Sequence, residues 1–229
     1  MKKIALIPAR SGSKRLIDKN ILKINGNSLI KNSLLHAKAI QVDEIIIYTD
    51  IDSNLLESDV TSYFKVRPKY TCEDNAKANS YLKEFVEEIT CDSLIVLLQP
   101  TSPFRNIELI NNSIDKYIKD YQGKSKILAS ASLFNESLWE KIKSNQYIKC
   151  FHNEVRRQQE REPKYIEDGN FYIFSSESFK DIKYDLDNLS WDFVINSFPF
   201  GIDINTADDY ILAEIISKNI HLFSSNKII

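Results

Sequence analysis

Apolar positions along the chain fall into two recurring patterns. Short, nearly continuous runs rich in Ile, Leu and Val occur at Ile4–Ile7, Glu44–Thr49, Ser93–Leu98, Ile127–Ser132, Phe171–Phe174 and Phe193–Phe198. A strand covered on both faces needs apolar side chains at successive positions, so these runs predict strands inside a sheet packed on both sides. Between them lie segments of helical spacing, Leu29–Ile40, Asn79–Ile89 and Ile107–Tyr121. In the last, Ile107, Ile110, Ile114, Tyr117, Ile118 and Tyr121 share one face. Strands alternating with helices predict an α/β fold built on a mostly parallel sheet. Asn25-Gly26-Asn27 reads as a turn, and Gly123 as the stop of the helix before it. Thr206 followed by Asp209 reads as a helix N-cap with an acidic N3 residue, opening a terminal helix through Ile215 and Ile216.

Phe134 to Lys164 interrupts the alternation. It is polar, crowded with charge (Glu154, Arg156, Arg157, Glu160, Arg161, Glu162) and shows neither period. An inserted subdomain, an exposed flap and a plain solvated face all fit that composition.

Composition narrows the class. The chain has 229 residues, 43% hydrophobic and 27% charged, with 5 Gly and 6 Pro, which is the make-up of an ordered globular protein with one main core. Thirty Lys and Arg against 32 Asp and Glu give a formal charge of −2, so there is no global basic field for nucleic acid. Any anion must be met by a local cluster. Cys72, Cys91 and Cys150 are odd in number and widely spaced, and read as free thiols in a reducing compartment. The apolar run at Ile4–Ile7 ends at Pro8-Ala9-Arg10, too short for a signal segment, and no stretch approaches a membrane span. The cytoplasm is the expected location, with no membrane partner.

The chemistry concentrates after the first strand. Pro8-Ala9-Arg10-Ser11-Gly12-Ser13-Lys14-Arg15 leads to Lys19-Asn20, placing Arg10, Lys14, Arg15 and Lys19 within ten residues. Ligands of open α/β sheets sit at the carboxyl ends of strands, where small residues let backbone N–H groups approach a phosphate. The Arg fork and the Lys point charge suit different parts of a polyphosphate. A phosphate-binding loop and an ordinary basic loop both fit these residues. The P-loop pattern GxxxxGK[ST] does not, because Gly12 has no second glycine before Lys14.

Ile7-Pro8-Ala9-Arg10-Ser11-Gly12-Ser13-Lys14 with Lys19-Asn20 resembles the N-terminal signature of the acylneuraminate cytidylyltransferases, the CMP-nonulosonate synthetases. Leu97-Leu98-Gln99-Pro100-Thr101-Ser102-Pro103-Phe104-Arg105 is similar to that family's LLQPTSPLR segment. Weaker likenesses follow at Tyr48-Thr49-Asp50, Arg67-Pro68, Arg157-Gln158-Gln159, Asp168-Gly169-Asn170-Phe171-Tyr172-Ile173 and Gly201-Ile202-Asp203-Ile204-Asn205-Thr206, so the resemblance spans nearly the whole chain.

The resemblance implies a Rossmann-like three-layer nucleotidyltransferase of one domain, with an inserted dimerisation segment at about 134–167. It implies transfer of CMP from CTP to a nine-carbon α-keto acid sugar, with release of pyrophosphate and a requirement for Mg²⁺. In that chemistry the protein mainly positions groups and offsets charge. Ala9, Arg10, Ser11, Gly12, Lys14, Lys19, Asn20 and Arg67 would bind the nucleotide, with Arg10, Lys14 and Asp203 as the catalytic set. Gln99, Arg156, Arg157, Gln158 and Asp168 would meet the acceptor, and Asp203 and Asn205 the metal. A homodimer is expected, the irregular middle segment completing the partner's sugar site.

This chain departs from the family at several points. Asn205 stands where a second aspartate is usual; it brings a carbonyl oxygen but no charge, which leaves room for a catalytically silent nucleotide-binding homologue. Asp168 stands where an asparagine is common and adds a negative charge. Asp50 fits either the family's strand-end aspartate or a cap of the next segment. The related Kdo-activating enzymes carry QGDEP-like residues where this chain has Gln99-Pro100-Thr101-Ser102-Pro103. His36, His152 and His221 show no ligand or triad spacing and read as surface or internally satisfied residues.

Overall fold

The computed structural model describes residues 1–73, 75–77, 79–151 and 157–223. In chain order the elements are β1 (Lys2–Ala9), β2 (Lys23–Ile24), β3 (Asn27–Ser28), α1 (Leu29–Ala39), β4 (Glu44–Thr49), α2 (Ser58–Thr61), β5 (Phe64–Val66) and α3 (Ser80–Glu87). They continue with β6 (Ser93–Leu97), α4 (Ile107–Tyr121), β7 (Lys126–Phe134), β8 (Trp139–Lys143), β9 (Gln146–Lys149), β10 (Lys164–Ser175), α5 (Ser176–Asp181), β11 (Ser190–Asn196) and α6 (Ala207–Lys218).

Seven strands form one sheet in the order β11-β7-β10-β6-β1-β4-β5. Every pairing is parallel except those of β10, which runs antiparallel to both β6 and β7. Side chains alternate between two cores, as the period of a strand requires. Ala5, Ile7, Val96 and Ile173 face Leu34, Ile110 and Ile114 of α1 and α4. Ile4, Leu6, Leu97 and Phe174 face Leu82, Phe85 and Phe179 of α3 and α5. This is the three-layer arrangement expected from the apolar runs, each fully buried aliphatic or aromatic side chain contributing roughly 1.5–3 kcal/mol. Tyr117 is the polar exception on α4: its hydroxyl donates to Lys126 O at 3.0 Å and accepts from Ser175 N at 3.1 Å, so its burial leaves no orphan.

Local signals fall where the sequence places them. Asn25 and Gly26 both have positive φ and make the two-residue turn between β2 and β3. Ser28 and Asn106 cap α1 and α4 by accepting from Lys31 N and Leu109 N. α4 spans Ile107–Tyr121, with Gly123 at positive φ just beyond it. Thr206 and Asp209 form a capping box at the start of α6.

The largest difference lies in β10. The apolar pattern predicts a strand only at Phe171–Phe174, whereas the strand runs from Lys164 to Ser175, pairing Lys164–Glu167 with the far end of β7 before a register shift. Lys164–Glu167 carry no apolar run because that end of the strand is largely exposed. Of the segment at 134–167, its last residues therefore belong to the sheet, and its centre contains the hairpin β8–β9. The strand expected at Phe193–Phe198 lies at Ser190–Asn196. Among the described residues, no helix is long and apolar enough to cross a membrane.

Candidate active site

β6, β1 and β4 are neighbouring parallel strands, so their carboxyl ends open on the same edge of the sheet. Three loops meet there: Arg10–Asn20 after β1, Asp50 after β4, and Leu98–Arg105 after β6. Residues of the first and third of these loops, with Arg67, Thr71 and Tyr81, line a cleft of about 330 Å³ that also takes in Arg10, Lys19, Asn20 and Gln99.

The Arg10–Asn20 loop is tied down at both ends. Asn20, buried, donates its amide to Arg10 O at 2.9 Å, and the Arg10 guanidinium donates to Cys72 O at 3.1 Å. Asp50 accepts from the backbone N–H of Ser11 at 2.7 Å and from its hydroxyl at 2.6 Å. Burial works to raise the Asp50 carboxyl, but these two hydrogen bonds hold it below its ordinary value. Asp50 thus fastens the β1 loop, and Asp52 caps the short helix that follows. Gly12 has φ of 67°, which only glycine adopts readily, and Gly12 and Lys14 are exposed. Lys14 is exposed and is not among the residues that line the cleft.

Arg67 is 6% exposed. Its Nε and Nη2 donate to the hydroxyl and carbonyl of Thr71 at 3.0 and 2.6 Å, and its guanidinium lies over Tyr81. Tyr81 and Lys77 carry no motif that sequence reading could seize, and Thr71 only approximates the family's small hydroxyl residues after Arg-Pro, yet all three line the cleft.

Gln99 is placed by a buried cation. Arg105 is 5% exposed; it donates to Gln99 O at 2.5 Å, Asn170 O at 3.2 Å and Ser33 Oγ at 3.3 Å, and meets His36 Nδ1 at 3.2 Å. Burial, and then the Arg105 charge, push the His36 imidazole down to about 3, so it stays neutral and accepts from Arg105. Burial also lowers Arg105, to about 9. His36 is an internally satisfied residue, as its spacing implied. Gly169 completes the fit: with φ of +68°, a Cβ there would meet Gln99 Oε1 at 3.3 Å.

Asp168 is 5% exposed and does not present its carboxylate to the cleft. It accepts from Ser130, Ser132, Asn196 and the backbone N–H of Asn170, at 2.5 to 3.1 Å. The charge expected to meet the acceptor is instead an internal clamp joining β7, β10 and β11. Arg157 is exposed, pairs with Glu160 at 3.3 Å and is not among the residues that line the cleft. Arg156 and the Gln158 side chain lie outside the described residues, as does His152.

Asp203 and Asn205 reach the cleft edge because Ile204 N donates to Thr101 O at 2.8 Å. Lys19 donates to Ile204 O at 3.0 Å and approaches Asn205 Oδ1 at 3.5 Å, while Arg15 donates to the same oxygen at 3.1 Å. Asn205 Nδ2 donates to Asp203 Oδ2 at 2.5 Å. The oxygen expected to serve as a metal ligand thus faces the Arg15 and Lys19 cations here. Asp203 Oδ1 is buried with no hydrogen-bond partner. Among the described residues no three His, Cys, Asp or Glu side chains converge to hold a metal. A lone buried carboxylate oxygen nevertheless fits Mg²⁺, which commonly takes one carboxylate and completes its shell with substrate phosphates and water. Burial lowers the Lys19 ammonium against the pull of Asp203, with Arg15 and Arg10 adding to the downward push.

Comparison with known proteins agrees with this geometry. Residues 4–192 match the sequence profile of the family described as Cytidylyltransferase. The chain is 29% identical to the CMP-N,N'-diacetyllegionaminic acid synthase of Legionella pneumophila, with 93% of this chain and 95% of that one aligned. It is 27% identical to the pseudaminic acid cytidylyltransferase of Campylobacter jejuni, over 96% and 98%. A solved CMP:2-keto-3-deoxy-manno-octonic acid synthetase in complex with CTP shares the fold, with a TM-score of 0.66 at 15% identity over 96% of this chain and 100% of that one.

Proposed function

We propose that this chain, which belongs to the cytidylyltransferase family, transfers CMP from CTP to the anomeric hydroxyl of a nine-carbon α-keto acid sugar. The acceptor hydroxyl gives up its proton to solvent as its oxygen forms a bond to the α-phosphorus, the bond from that phosphorus to the bridging oxygen breaks, and pyrophosphate leaves with that electron pair. The observation that carries this reading is the convergence of Arg10, Lys19, Asn20, Arg67 and Gln99 on one cleft at the carboxyl ends of β1 and β6.

Arg10 and Lys19 would bind the triphosphate, joined by Lys14 from the loop tip. Asn20 keeps the loop closed, and Gln99 would orient the acceptor hydroxyl. Mg²⁺ held at Asp203 Oδ1 would offset charge on the phosphates as pyrophosphate departs. The full-length likeness to legionaminic and pseudaminic acid enzymes favours an acylated nine-carbon acceptor. The free thiols of Cys72, Cys91 and Cys150 accord with the cytoplasm.

A homodimer belongs to the same proposal. Leu133 and its cross-strand partner Tyr165 on the outer ends of β7 and β10, and Trp139, Ile142 and Tyr147 on the hairpin, are exposed apolar side chains. A patch of that kind marks an interface, and Tyr165→Asp is expected to yield a monomer by sedimentation.

The deciding assay measures pyrophosphate release from CTP and Mg²⁺ with N-acetylneuraminic, legionaminic and pseudaminic acids and Kdo as acceptors. Turnover with one nine-carbon acid, abolished by Lys14→Ala and by Asp203→Ala, supports the reading. Turnover with Kdo alone, or with none of the four, overturns it.

A further inference from the structure

We infer that the free protein rejects a divalent cation at Asp203 and admits it only together with the nucleotide, because Arg15 and Lys19 hold the Asn205 oxygen that would complete the site. The inference rests on the nucleotidyl-transfer reading above and concerns how that same site loads.

The orientation of the Asn205 amide follows from its neighbours. Arg15 and Lys19 can only donate and the Asp203 carboxylate can only accept, so the amide oxygen must face the cations and the amide nitrogen the carboxylate. A metal approaching Asn205 Oδ1 meets a guanidinium and an ammonium bound to the same atom. That leaves Asp203 Oδ1, buried and without a hydrogen-bond partner, as the one oxygen of this pair not already engaged.

A single carboxylate oxygen is a weak site for a hard cation, which needs further anionic oxygens. The surroundings do not provide them. Arg10 and Arg15 act on the Lys19 ammonium beside Asp203 and Asp209, and Asp209 Oδ2 is committed to the backbone N–H groups of Asn205 and Thr206 and the Thr206 hydroxyl. The cleft is cationic, lined by Arg10, Lys19, Arg67 and Lys77 against Glu73: it attracts a polyphosphate and repels a bare metal ion. Phosphate oxygens are stronger acceptors for Arg15 and Lys19 than an amide carbonyl, so the nucleotide both draws off the two cations and supplies the missing ligands. Arg15, 190 residues from Asn205 in sequence, becomes a nucleotide-binding residue by the same argument.

The test uses Mn²⁺ as probe on the whole chain, followed by water-proton relaxation, which distinguishes protein-bound Mn²⁺ from Mn²⁺·CTP in solution. Wild-type protein is expected to bind Mn²⁺ at least about tenfold more weakly alone than with CTP and no acceptor. Asn205→Asp adds a carboxylate, and Arg15→Ala removes a repelling charge. Each should strengthen binding of Mn²⁺ without nucleotide, the first by about tenfold and the second by several-fold, in proteins whose thermal unfolding matches wild type. Asp203→Asn should abolish binding even with CTP. Equal Mn²⁺ affinity with and without CTP, or no gain in either variant, overturns the inference while CTP binding measured in EDTA leaves the functional reading standing. Absence of CTP binding under every condition removes both.

Discussion

The guanidinium of Arg67 sits 4.3 Å from the ring centroid of Tyr81, with Thr71 gripping its edge through one hydroxyl and one carbonyl. A cation held this way is fixed in direction before any ligand arrives, and fixed donors need no reorganisation when charge develops. The arrangement unites the end of β5, the turn after it and the start of α3 into one wall of the cleft.

Removing the ring loosens that wall. Tyr81→Ala is expected to raise the KM for CTP about tenfold with a smaller change in kcat, as loss of a desolvated cation–π contact of roughly 1–2 kcal/mol requires. Tyr81→Phe keeps the face and should stay within about twofold of wild type. Steady-state kinetics of the two variants side by side decide the matter; equal defects would assign the effect to the hydroxyl instead.

Arg105 should matter for stability before it matters for chemistry. Arg105→Met leaves the carbonyls of Gln99 and Asn170 and the ring of His36 without their donor, an expected loss of about 3 kcal/mol by urea unfolding. Retained stability would show that water replaces the guanidinium.

His36 makes part of that stability pH-dependent. Its folded-state value of about 3 lies below the ordinary 6.5, so between those limits the unfolded chain binds the proton that the folded chain refuses. Stability from this residue is therefore full above about pH 6.5 and falls as the pH drops toward 3, by an amount on the order of a few kcal/mol. His36→Asn preserves an acceptor near Nδ1 and cannot titrate. Its unfolding midpoint should decline less steeply with acid than that of wild type, and parallel curves would refute the assignment.

Gly201 is packed against the Asp168 clamp. A Cβ there would lie 1.9 Å from Ser132 Oγ, and that hydroxyl is held in place by Asp168. Gly201→Ala is expected to cost about 1–3 kcal/mol through forced displacement. Combining it with Ser132→Ala should recover part of the loss in a double-mutant cycle; strictly additive effects would place the strain elsewhere.

Much of this was legible in the chain itself. The apolar runs at Ile4–Ile7, Glu44–Thr49 and Ser93–Leu98 locate three strands to within a few residues, since a doubly covered strand has no polar option. The helix Ile107–Tyr121 and the capping box of Thr206 and Asp209 follow from local spacing, because caps and amphipathic faces are properties of consecutive residues. The cluster Arg10, Lys19, Asn20 and the segment containing Gln99 were visible as motifs, and parallel strand topology brings them to one cleft.

Other features required the folded chain. The length and direction of β10 were hidden because its exposed half lacks an apolar period. Asp168 reads as a ligand-facing charge until Ser130, Ser132 and Asn196, on two other strands, are seen to surround it. The cationic partners of Asn205 lie near the opposite end of the sequence, and whether its oxygen meets a metal or an arginine depends on side-chain directions that no spacing encodes. Sequence determined the elements and the chemical inventory, because both are set by neighbours along the chain. Tertiary structure decided which polar groups are consumed by one another and which are left to act on a ligand, because hydrogen-bond partners are assigned by proximity in space.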